Sequence, residues 1–366
     1  MKLPPFELEQ FFARYEFTVE HLLCASDVEG ITLDALLALA DEDSRSRYQA
    51  LSLGYTEGWG GKLLREQIAK DYVALGAEHV LVTGAQEAIF LTMITLLGPS
   101  DHVIVAWPAY QSLYEVARAT GADVTLLPLA RTGHIEPEAL RAALRPNTKL
   151  IVLNYPHNPS GALISAATQR ALVDIARDAN AYLFFDEMYR FLEHDPASRL
   201  PPAADLYERA ISYAALSKAY GLAGLRLGWL ACQDHDLLAR IQAHKDYTSI
   251  CQSGPSEALA LIGLRAREAL LERAFSIIRP NLDRLDVFFS KHQDYFTWKR
   301  PAAASVGLVE LHGEPAAAFA DRLVKACGVL MLPASAFGMK TNELRLGFGR
   351  NNMQPALDRL AAFLTR

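Results

Sequence analysis

Residues 79–106 read HVLVTGAQEAIFLTMITLLGPSDHVIVA. His79-Val80-Leu81-Val82-Thr83 is a short continuous apolar run, as expected of a strand buried on both faces. Gly84 then opens a helix through Ala88, Phe90, Met93 and Leu96, and Gly98-Pro99 ends it. His102-Val103-Ile104-Val105-Ala106 is the next strand. Strand, helix and strand in immediate succession form the unit of a parallel sheet, because parallel neighbours need a crossover connection.

The alternation continues outward from this unit. Val124-Thr125-Leu126-Leu127, Lys149-Leu150-Ile151-Val152-Leu153, Tyr182-Leu183-Phe184-Phe185, Ile211-Ser212-Tyr213-Ala214 and Arg226-Leu227-Gly228-Trp229-Leu230 read as further strands. Helices are expected over about 110–120, from 137 to near 146, and over 166–180. The pattern predicts an α/β fold: a three-layer α/β/α large domain with a mostly parallel sheet. From about 234 to 290 the texture changes to one long helical pattern, followed by mixed strands and helices. Residues 1–45 carry helical patterns near 5–14 and 32–40. The expected division is therefore 1–45, a segment joining the smaller domain; 46–245, the large ligand-binding domain; and 246–366, the C-terminal part of a smaller α+β domain built from both chain ends.

The chain has 366 residues, 51% hydrophobic and 21% charged, a balance that suits a folded globular protein of about this organisation. A formal net charge of -6 and the lack of any long basic run argue against nucleic acid as a partner. No apolar run is long enough to span a bilayer, and Met1-Lys2-Leu3-Pro4-Pro5-Phe6-Glu7 lacks the apolar core of a signal peptide. Cys24, Cys232, Cys251 and Cys327 are far apart and form no CxxC pair. Neither a metal site nor a disulfide framework is expected, and a reducing cytoplasm is the expected setting.

The polar, non-repeating residues fall at strand ends, where open α/β sheets bind ligands. Thr83-Gly84-Ala85-Gln86 lies at a helix start, whose free N–H groups favour an anion such as phosphate; taken alone, a plain strand-to-helix turn is the readier reading. Tyr110 could stack on a planar ligand or fill the core. Asn154-Tyr155-Pro156-His157-Asn158-Pro159-Ser160-Gly161 is a rigid turn that could hold Asn158 toward a ring oxygen, or a structural turn only. Asp186 ends an apolar strand and needs a partner, which a protonated pyridine nitrogen would supply, unless it is a helix cap. Ser217-Lys218 and Arg226 offer an amine for a carbonyl and a fork for phosphate, or two solvated charges. Together they are the groups that pyridoxal phosphate requires, in consistent order along the strand ends.

The HNPxG run ending at Gly161, the D-x-x-Y of Asp186 and Tyr189, and the SKxxGxxGxRxG run from Ser217 to Gly228 resemble those of the fold-type I, class I/II pyridoxal-phosphate aminotransferases. The resemblance covers nearly the whole chain. It implies that Lys218 forms the internal aldimine, that Asp186 pairs with the pyridine nitrogen, and that Asn158 and Tyr189 bond the ring oxygen. It implies a stacking role for Tyr110 and phosphate contacts for Gly84, Ala85, Gln86, Ser217 and Arg226. Gly54-Tyr55-Thr56-Glu57-Gly58 is similar to the loop whose tyrosine reaches the neighbouring subunit's phosphate, so Tyr55 implies a homodimer with shared sites. Glu343-Leu344-Arg345-Leu346-Gly347 is similar to the segment whose arginine binds the substrate α-carboxylate, implying that role for Arg345 beside Asn158.

Two positions depart from the family pattern. Ala215 stands where many relatives place a phosphate-bonding hydroxyl, and Ala334 where many have Gly. Ser26-Asp27-Val28-Glu29-Gly30 is similar to the segment that closes over the substrate. Glu29 or Glu57 could face a cationic substrate group, but the readier reading of each is a solvated surface carboxylate, and neither is assigned to the site.

The expected activity is ping-pong transamination between an amino acid and a 2-oxo acid. The same groups also suit a C-S β-lyase, decarboxylase, cyclase or oxidase, since fold does not decide which bond breaks. A ligand-sensing domain of a transcription regulator is the non-enzymatic alternative; it would need a DNA-binding segment, for which no room is expected before the helix near residue 5.

Overall fold

The computed structural model describes residues 2–365. In chain order its strands are β1 (His21–Leu22), β2 (Val80–Thr83), β3 (His102–Trp107), β4 (Asp123–Pro128), β5 (Thr148–Asn154), β6 (Tyr182–Asp186), β7 (Ala210–Ala215), β8 (Gly228–Cys232), β9 (Phe296–Trp298), β10 (Val306–Leu311), β11 (Val329–Leu330), β12 (Leu332–Pro333) and β13 (Glu343–Gly347). Seven of them form the central sheet in the order β2-β8-β7-β6-β5-β3-β4. Its pairs are parallel except for those of β8, which runs against both β2 and β7. The mostly parallel α/β sheet expected from the sequence is what forms.

Period-two alternation sorts each strand's side chains onto two helical layers. Val103, Val105, Leu150, Val152, Phe184 and Ile211 pack with the helices Ala85–Leu96, Ser112–Ala119 and His235–Lys245. Ile104, Ile151, Leu153, Leu183 and Phe185 pack on the other face with Pro137–Ala143 and Ala166–Asp178. Phe184 is fully buried; cutting it to Ala would cost about 3–5 kcal/mol in lost transfer energy and cavity.

The chain ends meet. β1 pairs in parallel with β11, His21 opposite Val329. Leu8, Cys24, Leu330, Leu332 and Phe337 share an apolar cluster, bordered by Phe12 and Tyr110. β12, β13, β10 and β9 form an antiparallel sheet beside them. The helix Glu7–Tyr15 thereby lies over the C-terminal sheet and against the central domain.

Three features differ from the sequence reading. The long helical pattern over 234–290 is broken into His235–Lys245, Gly254–Arg265 and Arg267–Lys291. At the first break the buried Lys245 amine donates to the carbonyls of Gly58 (2.7 Å) and Ile250 (3.1 Å), and Ile250 is left-handed (φ 64°). Ser253 and Pro255 then restart the helix. The strand expected from Arg226 begins only at Gly228, since Arg226 itself is left-handed (φ 53°). A helix at Glu42–Gln49, capped by Asp41, was not foreseen.

Candidate active site

β2, β3, β5, β6 and β7 run the same way, so their carboxyl ends share one edge of the sheet. The turn that leads into the reversed β8 returns to that edge. Register fixes the level: Asn154 pairs with Asp186, and Asp186 with Tyr213. At this edge lies a cavity of about 380 Å³, lined among others by Ala85, Gln86, Tyr110, Asn158, Asp186, Tyr189, Ser217, Lys218, Arg226 and Arg345. These ten sequence candidates are brought together.

Gly84 caps the Ala85–Leu96 helix, and its N–H donates to the Glu87 carboxylate (3.0 Å). Glu87 in turn is held by Thr248 and Ser249. This leaves the helix N-terminus, with Ala85 and Gln86 in the cavity wall, open toward an anion. Gly84 lies just behind that wall. The Arg226 guanidinium also reaches the cavity and is exposed there, bound to the Ala223 carbonyl at 3.0 Å. A left-handed arginine is strained by about 1–2 kcal/mol, which is the kind of strain that functional sites retain. Ala215 is buried and contributes nothing polar; its β-carbon faces Gly228, where an added Cβ would come within 2.9 Å. Ala334 is buried and begins the short turn carrying Phe337.

Asp186 is 6% exposed, and one of its oxygens accepts from the Met188 N–H at 3.0 Å. Burial pushes its carboxyl up to about 7, against which the Met188 bond and the Lys218 charge act only in part. A cationic partner at the carboxylate would restore ionisation. Burial lowers the pKa of the Lys218 amine. Its Nζ donates to Ser26 Oγ (2.8 Å) and lies 5.9 Å from the centre of the Tyr189 ring. Tyr189 donates to the Ser26 carbonyl (3.1 Å), and burial raises its phenol. Tyr110 donates to Glu9 (2.6 Å).

Arg345 on β13 is 1% exposed. It donates to the Cys24 carbonyl (2.7 Å) and to Asn158 Oδ1 (3.2 Å), while its Nε is buried without a partner. Phe337 lies beneath the guanidinium at 5.3 Å. A desolvated guanidinium with a vacant donor suits a carboxylate, which accepts in the same plane.

Tyr55 is not brought in. It is 91% exposed and lies outside the cavity of a single chain. Glu29 and Glu57 also lie elsewhere: Glu29 is bound to Asn351, and Glu57 to Arg65. The sequence reading missed Glu9, Phe12, Glu16, Asn154 and Tyr213, and gave Ser26 and Asp27 no separate role. All seven line the cavity. Leu8, Glu9, Phe12 and Glu16 follow helical spacing, a signal that was available but indistinguishable from a solvated face.

These residues fit pyridoxal phosphate. An open helix start and Arg226 can hold the phosphate, the buried Asp186 can face the ring nitrogen, and the Lys218 amine can meet the carbonyl carbon. The described "Aminotransferase class I and II" family pattern matches residues 23–361. Capreomycidine synthase of Streptomyces vinaceus is 31% identical over 353 residues, 94% of this chain and 90% of that protein. A PLP-dependent aminotransferase structure from Streptococcus suis superposes with a TM-score of 0.93 at 30% identity, covering 100% of this chain and 99% of that one. The PLP-dependent cyclase OrfR superposes with 0.91 at 29% identity, covering 100% and 98%. The cavity's residue set and these likenesses agree: the chain belongs to the class I and II aminotransferase family, whose members work with pyridoxal phosphate.

Proposed function

We propose that the protein is an aminotransferase that moves an amino group between an amino acid and a 2-oxo acid. The observation that carries this reading is the convergence of the Lys218 amine, the Asp186 carboxyl and the partly unpaired Arg345 guanidinium in one cavity. Bound pyridoxal phosphate supplies an electron-accepting ring for the electrons left when a bond to the amino acid's Cα breaks.

The chain's residues divide the remaining work. Ala85, Gln86, Gly84, Ser217 and Arg226 would hold the phosphate, and Tyr110 would lie against the ring. Asp186 would keep the ring nitrogen protonated, while Asn158 and Tyr189 would bond the ring oxygen. Arg345 and Asn158 fix the substrate carboxylate and so orient Cα. Lys218 Nζ would take the Cα proton, and burial helps by favouring its neutral form. We also propose a homodimer in the cytoplasm. The exposed Leu53, Tyr55, Tyr247 and Ile250 support the dimer: Thr56 bonds the Gln252 carbonyl, so the two segments carrying them adjoin. Among the described residues no helix is long and apolar enough to cross a membrane.

The test mixes purified holoprotein with a panel of amino acids and follows the cofactor absorbance with and without a 2-oxo acid. Transamination predicts one turnover per site without the acceptor and parallel double-reciprocal lines with it. Sustained turnover in the absence of any acceptor rejects it. That second outcome would favour a cyclase or lyase, a reading supported by the synthase and cyclase among the relatives.

A further inference from the structure

The cavity holds more negative charge than pyridoxal chemistry employs. Asp186 faces the ring position, but Glu9, Glu16 and Asp27 also line the wall. Glu9 and Glu16 stand two helical turns apart, on the face of the Glu7–Tyr15 helix that also presents Leu8 and Phe12. Glu16 follows the last helical residue. The cations are otherwise engaged: Lys218, Arg226 and Arg345 have the roles proposed above, and Arg350 is paired with Asp27 at 2.9 Å. Glu9 accepts from the Tyr110 hydroxyl. Among the described residues, Glu16 has neither a hydrogen bond nor an ion pair through its carboxylate.

The Arg345 Nε, buried and unpartnered, marks where one end of a substrate docks. Phe12 lies 5.9 Å from that guanidinium, so the wall bearing the acids stands beside the carboxylate end. We propose that the preferred amino donor is an α-amino acid whose aliphatic side chain ends in a cation, of the lysine, ornithine or arginine kind, with Glu16 as its principal anchor and Glu9 and Asp27 beside it. This rests on the amino-acid reading given above.

Leu8 and Phe12 give the methylene stem an apolar strip, and the carboxylates receive the charged tip. A neutral or acidic donor would leave the carboxylates crowded without relief, which is selection by repulsion as well as attraction. Burial raises the pKa of Glu16, and the neighbouring Asp27 and Glu9 add to the effect, while Arg350 and Lys218 oppose it. That crowding is what an arriving cation would remove.

The experiment uses holoprotein and matched donors: arginine against citrulline, its neutral isostere, together with lysine, ornithine, norleucine and glutamate. Binding is read from the cofactor absorbance as an apparent Kd, and turnover as kcat/KM. Arginine or lysine is expected to exceed its neutral counterpart by ~10- to 100-fold, the range of a charge-assisted bond. Glu16→Gln, which keeps the side chain's size at a half-exposed position, should collapse that ratio toward one. Glu9→Gln should reduce it less, because an amide oxygen still accepts from Tyr110. Melting curves confirm that both variants are folded. Equal use of arginine and citrulline by the wild type, or a ratio that survives both substitutions, overturns the proposal and leaves the amino-acid reading standing. If no amino acid perturbs the cofactor absorbance, both fall together.

Discussion

Replacing Asp186 by Asn should make the cofactor-free protein more stable at neutral and alkaline pH while weakening its hold on the cofactor. Asp186 sits at the sheet edge with one backbone N–H as its hydrogen-bond donor, and burial raises its carboxyl from an ordinary 3.8 to about 7. The pH dependence has a definite sign. Below about pH 4 the residue is protonated in both folded and unfolded chains, and its full contribution is present. As pH rises the unfolded chain ionises first, so folding stability falls until about pH 7 and is level above it. The loss is about 1.4 kcal/mol per pH unit, or about 3 kcal/mol between pH 5 and pH 8. Asn has no proton to lose. The difference between the two proteins in urea unfolding of the cofactor-free form should therefore grow by about 3 kcal/mol over that interval. Glu187 is likewise raised to about 7, but it is present in both proteins and largely cancels. Addition of pyridoxal phosphate should reverse the order, since only the carboxylate can pair with a protonated ring nitrogen. Parallel pH profiles for the two cofactor-free proteins would refute the argument, because Asp186 would then be ionising as it does in water.

Lys218→Ala should lower kcat by ~10²–10⁴-fold or more, since it removes the proposed proton carrier; single-turnover absorbance changes with an amino donor would check this. Arg345→Lys keeps the charge but loses the planar fork, so the donor KM should rise by ~10- to 100-fold with a smaller change in kcat. Gly347→Ala would drive a Cβ into the Ala25 carbonyl, so the segment carrying Ser26 and Asp27 must shift; a lower melting temperature and a raised donor KM are expected, and unchanged values of both would count against it. Ser26→Ala removes the oxygen to which Lys218 donates. That bond favours the ammonium form, so the Lys218 pKa should fall further and the rate profile for cofactor capture should extend to lower pH.

The sheet was legible because buried parallel strands are apolar throughout and are separated by Gly and Pro. The strand-end residues were legible because charges such as Asp186 and Lys218 interrupt runs that are otherwise hydrophobic. Arg226 was recognised for its charge but placed in a strand, since only neighbouring turn geometry makes a non-glycine residue left-handed. The break at 246–253 was hidden for a related reason: the Lys245 amine beside it is braced by carbonyls at Gly58 and Ile250, and one of those lies far away in sequence. The acidic wall was illegible because a helix with Glu9 and Glu16 on one face looks the same whether that face meets water or a cavity. Glu29 and Glu57 drew attention through nearby motifs, yet Asn351 and Arg65 hold them elsewhere.

The pairing of β1 with β11 sets a timetable for the molecule. Arg345 bonds the Cys24 carbonyl across 321 positions, and His21 finds its strand partner only at Val329. At ~5–20 residues per second a ribosome needs tens of seconds to bridge that interval. Once β8 has emerged the central sheet can form around Asp186 and Lys218, while the opening segment, with Phe11, Phe12 and Leu22, still lacks its apolar partner. The cofactor's anchoring groups would thus be assembled well before the substrate's. A newborn chain would pass through a stage able to capture pyridoxal phosphate but unable to grip an amino acid.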